Sequence, residues 1–202
     1  MPSLLIATNN LNKIRELRGI LHTVPVSVVS PMDAGIDVQV EETGHSYATN
    51  ARLKALAFAR ASGMVSLADD SGLEVDALHG APGVYSARYA GEGASSAERI
   101  ALLLRNLDGV PMEKRRARFV AVIALASPDG NVRLCRGSVR GVILFAPRGA
   151  GGFGYDPVFY IPKFGCTMAE LAEDVKNRIS HRARAALRVA PYILDMCNHA
   201  AM

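Results

Sequence analysis

Two adjacent carboxylates, Asp69 and Asp70, stand in the stretch Leu67-Ala68-Asp69-Asp70-Ser71-Gly72-Leu73, at the end of an apolar run that begins at Val65. Such a run reads as a short buried strand that Gly72 punctuates, so both acids are expected at a strand terminus. Carboxylates beyond the carboxyl end of a strand in an open α/β sheet can hold a hard cation or take a proton from water. The competing reading is a plain turn, since Asp, Ser and Gly each favour turns.

A second group suits an anion. Thr8-Asn9-Asn10-Leu11-Asn12-Lys13 joins an apolar strand, Leu4 to Ala7, to a helix carrying Ile14, Leu17 and Leu21 at helical spacing. A helix start offers backbone N–H groups and a dipole to a phosphate, and Lys13 and Arg15 add charge, although the Walker pattern is absent. Lys176, His181 and Arg182 gather at helix ends, where they too suit an anion. Asn50 and Lys54, four apart, share one face of a helix expected from about Ser46 to Ser62, with Ser46 as its cap and Gly63 as its stop. Glu41 and Glu42 lead into it. In the glycine-dense segment Gly149 to Pro157, Phe153 or Tyr155 could stack on a flat base; a flexible hairpin tip is the alternative.

These residues need a scaffold. Val26 to Val29 reads as a second strand, and Leu73 to Ala77 alternates like another. Ser95 to Glu98 and Thr167 to Glu170 have the form of capping boxes, and Ser180 opens a last helix running to about Met196. Phe119 to Ala126 is a strongly apolar strand, from which Pro128-Asp129-Gly130 turns into Val132 to Cys135. The pattern predicts an α/β fold with a mixed central sheet flanked by helices, the hairpin lobe being set apart from the first strand–helix units.

Composition narrows the class. The chain has 202 residues, half of them hydrophobic, a formal charge of +4 and a pI near 9.1, which suits one domain over 1–202 and anionic partners. No apolar run approaches the ~20 residues of a membrane span, and the N-terminus has no basic lead to a signal peptide, so a cytoplasmic protein is expected. Cys135, Cys166 and Cys197 lack paired spacing and read as reduced thiols. The basic run Lys114, Arg115, Arg116 and Arg118 would suit nucleic acid or simply a solvated loop.

Six stretches in order, Ala7 to Asn10, Glu42 to Gly44, Asn50 to Ala55, Ala68 to Leu73, Gly80 to Tyr89 and Gly151 to Pro157, followed by Ile179 to Arg182, make the chain resemble the inosine triphosphate pyrophosphatase family. That resemblance implies a Mg2+-dependent homodimer of two lobes with an active-site cleft between them. It would hydrolyse inosine, deoxyinosine and xanthosine triphosphates between the α and β phosphates to a monophosphate and pyrophosphate, with no nucleic-acid or membrane partner. It further implies that Thr8, Asn9, Asn10, Leu11, Asn12 and Lys13 hold the triphosphate, Asp70 is the base, and Glu41 with Asp70 binds the metal. Ser71 would touch substrate, while Phe153, Gly154, Tyr155 and Asp156 bracket the base and Lys176, His181 and Arg182 complete the pocket. Glu42 beside Glu41 is an equal candidate for the metal, and Thr49 stands where many relatives carry Glu. A pyrophosphatase of other base preference and a basic nucleic-acid-binding module are the alternatives.

Overall fold

Each of the longer helices begins where its sequence supplies a cap. The computed structural model describes residues 1–200, and in it the Asn10 side chain accepts the N–H groups of Asn12 and Lys13 at the start of α1 (Leu11–Ile20). Ser46 accepts the Thr49 N–H at the start of α2 (Tyr47–Ser62), which Gly63 ends in the left-handed conformation at φ 68°. Ser95 and Glu98 form a full capping box on α3 (Ser96–Asn106). After the short α4 (Glu173–Ile179), Ser180 caps α5 (His181–His199) through the Ala183 N–H.

Seven strands form one sheet: β1 (Ser3–Ile6), β2 (Ser27–Val29), β3 (Ser66–Val75), β4 (Arg116–Ala126), β5 (Val132–Ile143), β6 (Phe159–Ile161) and β7 (Cys166–Thr167), in the order β2-β1-β3-β4-β5-β6-β7. β1 runs parallel to both neighbours, with Ser3 opposite Ser27 and Leu5 opposite Ser66. β6 is antiparallel to β5 and to β7. β4 and β5 are joined by a turn that the Ser127 N–H closes on the Asn131 carbonyl at 3.0 Å, far too short for a parallel crossover. The expected mixed α/β sheet is what forms.

Two local expectations are overturned. Asp69 and Asp70 do not end a strand; β3 continues through Ser71 and Gly72 to Val75, and only its partner β1 stops, at the Ile6–Leu67 pair. Nor is the hairpin set apart: among the described residues, 121–137 group with 1–70 and 180–200 in one compact unit, while Ser71–Val120 and Ser138–Ile179 make a second.

Each unit has its own core. In the first, Leu4, Ile6, Val65, Leu67, Ile123 and Leu125 pack with Ile14 and Leu17 of α1 and with Ala186, Val189 and Ile193 of α5. In the second, Leu73, Phe119, Val139, Phe159 and Met168 pack with Ile100 and Leu103 of α3. Among the described residues no helix is long and apolar enough to cross a membrane.

Candidate active site

Strand geometry sends Asp69 and Asp70 to opposite faces of β3. Val65 and Leu67 lie in the core with α1 and α5, and Asp69 is next on that face. It meets cations from both helices. Arg182 of α5 donates Nη2 and Nε to Asp69 Oδ2 at 3.0 and 3.3 Å, and Lys13 of α1 places Nζ 3.0 Å from the same oxygen. Arg182 also grips Glu16 of α1 through Nη1, and neither Arg182 nor Asp69 is accessible to solvent beyond 2%. Burial alone would push the Asp69 carboxyl up, but Arg182 and Lys13, helped by His181, outweigh it and hold it well below the usual carboxylate range.

Asp70 faces α2. Lys54 Nζ lies 2.9 Å from Asp70 Oδ1, 2.8 Å from Glu42 Oε1 and 3.0 Å from the Asp69 carbonyl oxygen. Asn50, one turn earlier, accepts the Gly44 N–H on Oδ1 at 2.8 Å, which aims its Nδ2 at Asp70 Oδ2, 3.4 Å away. A side chain at position 44 would collide with Asn50 and Thr49, so Gly44 is what lets the acidic loop settle on the first turn of α2. Burial pushes the Asp70 carboxyl up and Glu42 adds to the effect, against the opposing pull of Lys54 and Lys13. Burial likewise outweighs Asp69 at Lys13 and lowers its ammonium, whereas at Lys54 Asp70 and Glu42 overcome burial and raise it.

The remaining residues of the first unit are placed as follows. Thr8 is half-buried and accepts the Asn10 N–H, and Asn9, Asn10 and Leu11 are exposed at the start of α1 beside half-buried Asn12 and Lys13. Glu41 is exposed; Glu42, not Glu41, reaches Lys54. Arg182 clamps Asp69 and Glu16 from a buried position, and His181 beside it is buried too. Thr49 belongs to the cap of α2, its hydroxyl 2.9 Å from that of Ser46.

In the second unit, Asp156 Oδ2 accepts the Phe153 N–H at 2.9 Å and Lys176 Nζ at 2.5 Å, with Asp156 and Lys176 both buried. Lys176 Nζ also lies 5.1 Å from the centre of the Phe153 ring. Gly152, at φ 70°, makes room for this pair, since a Cβ there would meet the Asp156 carboxylate and lie 3.0 Å from Lys176 Nζ. Tyr155 donates its hydroxyl to the Ser86 carbonyl at 2.9 Å, and burial raises its phenol, so it is a neutral structural donor. Phe153 and Gly154 line an open, mostly apolar cavity of about 640 Å³ against Ile100 and Leu104 of α3. Ser71 is half-buried on β3.

Residues 4–192 match the sequence model of the Ham1 family. The chain belongs to the Ham1 family. It is 51% identical over 192 residues to the dITP/XTP pyrophosphatase of Desulforamulus reducens, covering 95% of each chain. The dITP/XTP pyrophosphatase of Shigella flexneri is 46% identical over 187 residues, covering 92% of this chain and 94% of that one. Among solved structures, a Ham1 protein from Coxiella burnetii superposes with a TM-score of 0.86 at 38% identity, over 96% of this chain and all of that one.

A divalent metal fits this Ham1 site in one way. No three His, Cys, Asp or Glu residues converge into a cage among the described residues, but Glu42 and Asp70 already converge on a single positive charge, the Lys54 ammonium. Mg2+ usually takes only one or two carboxylates, the balance coming from water and substrate phosphates. Three supporting residues carried no such reading in the sequence. Glu16 looks like one more polar residue on α1 but holds Arg182; Gly44 looks like loop but lets that loop meet α2; and Gly137 of β5 stands where a Cβ would strike the His181 carbonyl oxygen at the start of α5. The usable signal was the i, i+4 spacing of Asn50 and Lys54, which does put both on Asp70.

Proposed function

We propose that this chain is a Mg2+-dependent nucleoside triphosphate pyrophosphatase, hydrolysing inosine, deoxyinosine and xanthosine triphosphates to the monophosphate and pyrophosphate and so clearing aberrant purines from the precursor pool. The observation that carries the reading is the contrast between two neighbouring acids. Asp69 is clamped between Arg182 and Lys13, whereas Asp70, on the opposite face of β3, meets Lys54 together with Glu42, and burial pushes its carboxyl up. The names borne by the relatives point to the same chemistry.

In this reading a water attacks the α-phosphorus and gives its proton to Asp70. The bond from the α-phosphorus to the bridging oxygen breaks, and that oxygen leaves with pyrophosphate. Such transfers need neutralised charge more than covalent help, and Lys13, Lys54 and the Thr8 to Asn12 loop would meet the phosphates. Mg2+, when bound, supplies further charge neutralisation at the phosphate oxygens, and Asp70 with Glu42 would hold it; Glu42 replaces Glu41 because it shares a cation with Asp70. Phe153 would stack on the base, with Asp156 and Lys176 fixing its backbone and ring, and Ser71, Gly154, Tyr155 and His181 would complete the binding surfaces. Arg182 would act through Asp69. A cytoplasmic homodimer is part of the same proposal.

The test is a panel of nucleoside triphosphates with purified protein and Mg2+, followed by product identification. Inosine and xanthosine triphosphates should turn over at least ~100-fold faster than adenosine triphosphate, since leaving buried donors unpaired costs ~1–3 kcal/mol each. Pyrophosphate should appear with the monophosphate. A nucleoside diphosphate with orthophosphate as first products would refute the reading, and equal turnover of every base would reduce it to an unselective pyrophosphatase.

A further inference from the structure

The Lys54 ammonium spends all three of its N–H donors on one small region: Glu42 Oε1, Asp70 Oδ1 and the Asp69 carbonyl oxygen, at 2.8, 2.9 and 3.0 Å. Two of these acceptors are the carboxylates assigned above to the metal. Everything involved belongs to the first compact unit, and Lys54 itself is only 8% exposed. The side chain therefore cannot drift off into solvent, as a surface lysine would.

We infer that Lys54 is a built-in stand-in for the divalent cation: in metal-free protein its ammonium holds Glu42 and Asp70 together, and metal binding must displace it from at least one of them. The inference rests on the proposed function only for the identity of the metal ligands. An ammonium at hydrogen-bond distance and a Mg2+ ion about 2.1 Å from the same oxygens compete for the same lone pairs. They also repel each other strongly in a site of low dielectric. Two consequences follow from this arrangement. The acidic pair is kept from flying apart before metal arrives, and free metal is bound more weakly than two bare carboxylates would bind it. A triphosphate arriving with the metal gives the displaced ammonium a new anionic partner, which favours joint entry of the two.

Lys13 provides the internal control. It is a cation of the same unit, but its side-chain ion pair is with Asp69, not with Glu42 or Asp70. Removing Lys13 changes the net charge by the same amount as removing Lys54 and leaves the stand-in in place.

The experiment is a titration of chelator-stripped protein with Mn2+, reading the free ion by electron paramagnetic resonance, for the wild type, Lys54→Met, Lys54→Gln and Lys13→Met. Lys54→Gln keeps a hydrogen-bond donor on an uncharged side chain one atom shorter, so a folded protein without the charge is available even if Lys54→Met fails. Both Lys54 variants should bind Mn2+ at least ~10-fold more tightly than wild type, and Lys13→Met less than ~3-fold more tightly. Their melting temperatures should also rise more on adding Mg2+ than that of wild type, because a ligand stabilises in proportion to the logarithm of its occupancy ratio. Unchanged or weaker Mn2+ binding in the Lys54 variants would overturn the inference, as would an equal gain in Lys13→Met, which would reduce it to general charge. The titration needs no turnover. If the substrate panel fails while Lys54→Gln gains Mn2+ affinity, the proposed reaction is wrong and the stand-in survives.

Discussion

Neighbouring aspartates that differ only in which face of β3 they occupy should fail in opposite ways. Asp69→Asn keeps the shape of the side chain and removes its charge; Arg182 retains its ion pair with Glu16, and Lys13 retains the Asp69 carbonyl oxygen, 3.2 Å away. Breaking a fully buried pair usually costs about 3–5 kcal/mol; since Glu16 still compensates Arg182, the lower end, ~3 kcal/mol, applies. For a chain of this length that is a fall in Tm of roughly 6–12 °C. Asp70→Asn removes a charge that burial already disfavours, and Lys54 keeps Glu42 and the Asp69 carbonyl, so stability should change by about 1 kcal/mol or less. Turnover, however, should drop at least ~100-fold with the base gone. The pH dependence separates them again. Asp69 is depressed in the folded state, so its stabilisation is present above the unfolded value of about 3.9 and is lost as pH falls below it; the gap between wild type and Asp69→Asn closes in acid. Asp70 is raised, which reverses the sign: wild type loses stability relative to Asp70→Asn as pH climbs from about 4 through the raised native value. Thermal melts by circular dichroism at several pH values, with initial rates on inosine triphosphate corrected for folded fraction, measure both. Should Asp69→Asn melt like wild type while Asp70→Asn unfolds easily and keeps its turnover, the division of roles is wrong.

Two further changes probe the supports. Gly137→Ala would drive a Cβ into the His181 carbonyl oxygen and to 2.5 Å from Ala185 N, backbone that can move only by shifting the start of α5, which carries Arg182; a cost of about 1–3 kcal/mol and reduced turnover are expected, and an unaltered melt would contradict this packing. Thr49→Glu places an acid three residues after the Ser46 cap, completing a capping box in the first turn of α2; it should add about 0.5–1 kcal/mol, seen as a small rise in Tm, and leave Mn2+ affinity untouched, so a several-fold gain in affinity would make position 49 part of the metal site instead.

Caps and spacing were the most legible features, because both depend on neighbours in sequence. Ser46, Ser95 and Ser180 each start a helix where their side chains announce it, and the four-residue step from Asn50 to Lys54 shares a face wherever α2 packs. The continuity of β3 through the acids was not legible, although its two ends read as strands. Asp, Ser and Gly read locally as a turn, and that preference is overridden by partners distant in sequence: Arg182 lies 113 residues beyond Asp69, and Lys54 reaches Asp70 from another helix. Gly137 and Gly141 mislead in the same way, shortening the expected β5; a side chain at 137 would strike α5, and one at 141 would strike Phe159, so the glycines mark close approach inside a strand that runs on to Ile143.

Glu16 shows where local reading ends. On the sequence it is a glutamate three residues after Lys13, a spacing that suggests an exposed ion pair on one helix. In the fold both residues turn inward, and neither closes on the other: Lys13 goes to Asp69, Glu16 goes to Arg182, and Arg182 bridges back to Asp69. Two cations and two anions thus alternate along an open chain of charge, Lys13–Asp69–Arg182–Glu16, whose members come from α1, β3 and α5. Such a set costs desolvation that an apolar core would not, and it is kept where a charge must be held in one place. Here the charge so held is Asp69, and its peptide carbonyl is the atom on which Lys13 and Lys54 both rest, at 3.2 and 3.0 Å. Fixing Asp69 therefore fixes the two lysines that would face the phosphates, and in the proposed reaction Asp69 would set the geometry for Asp70, the base.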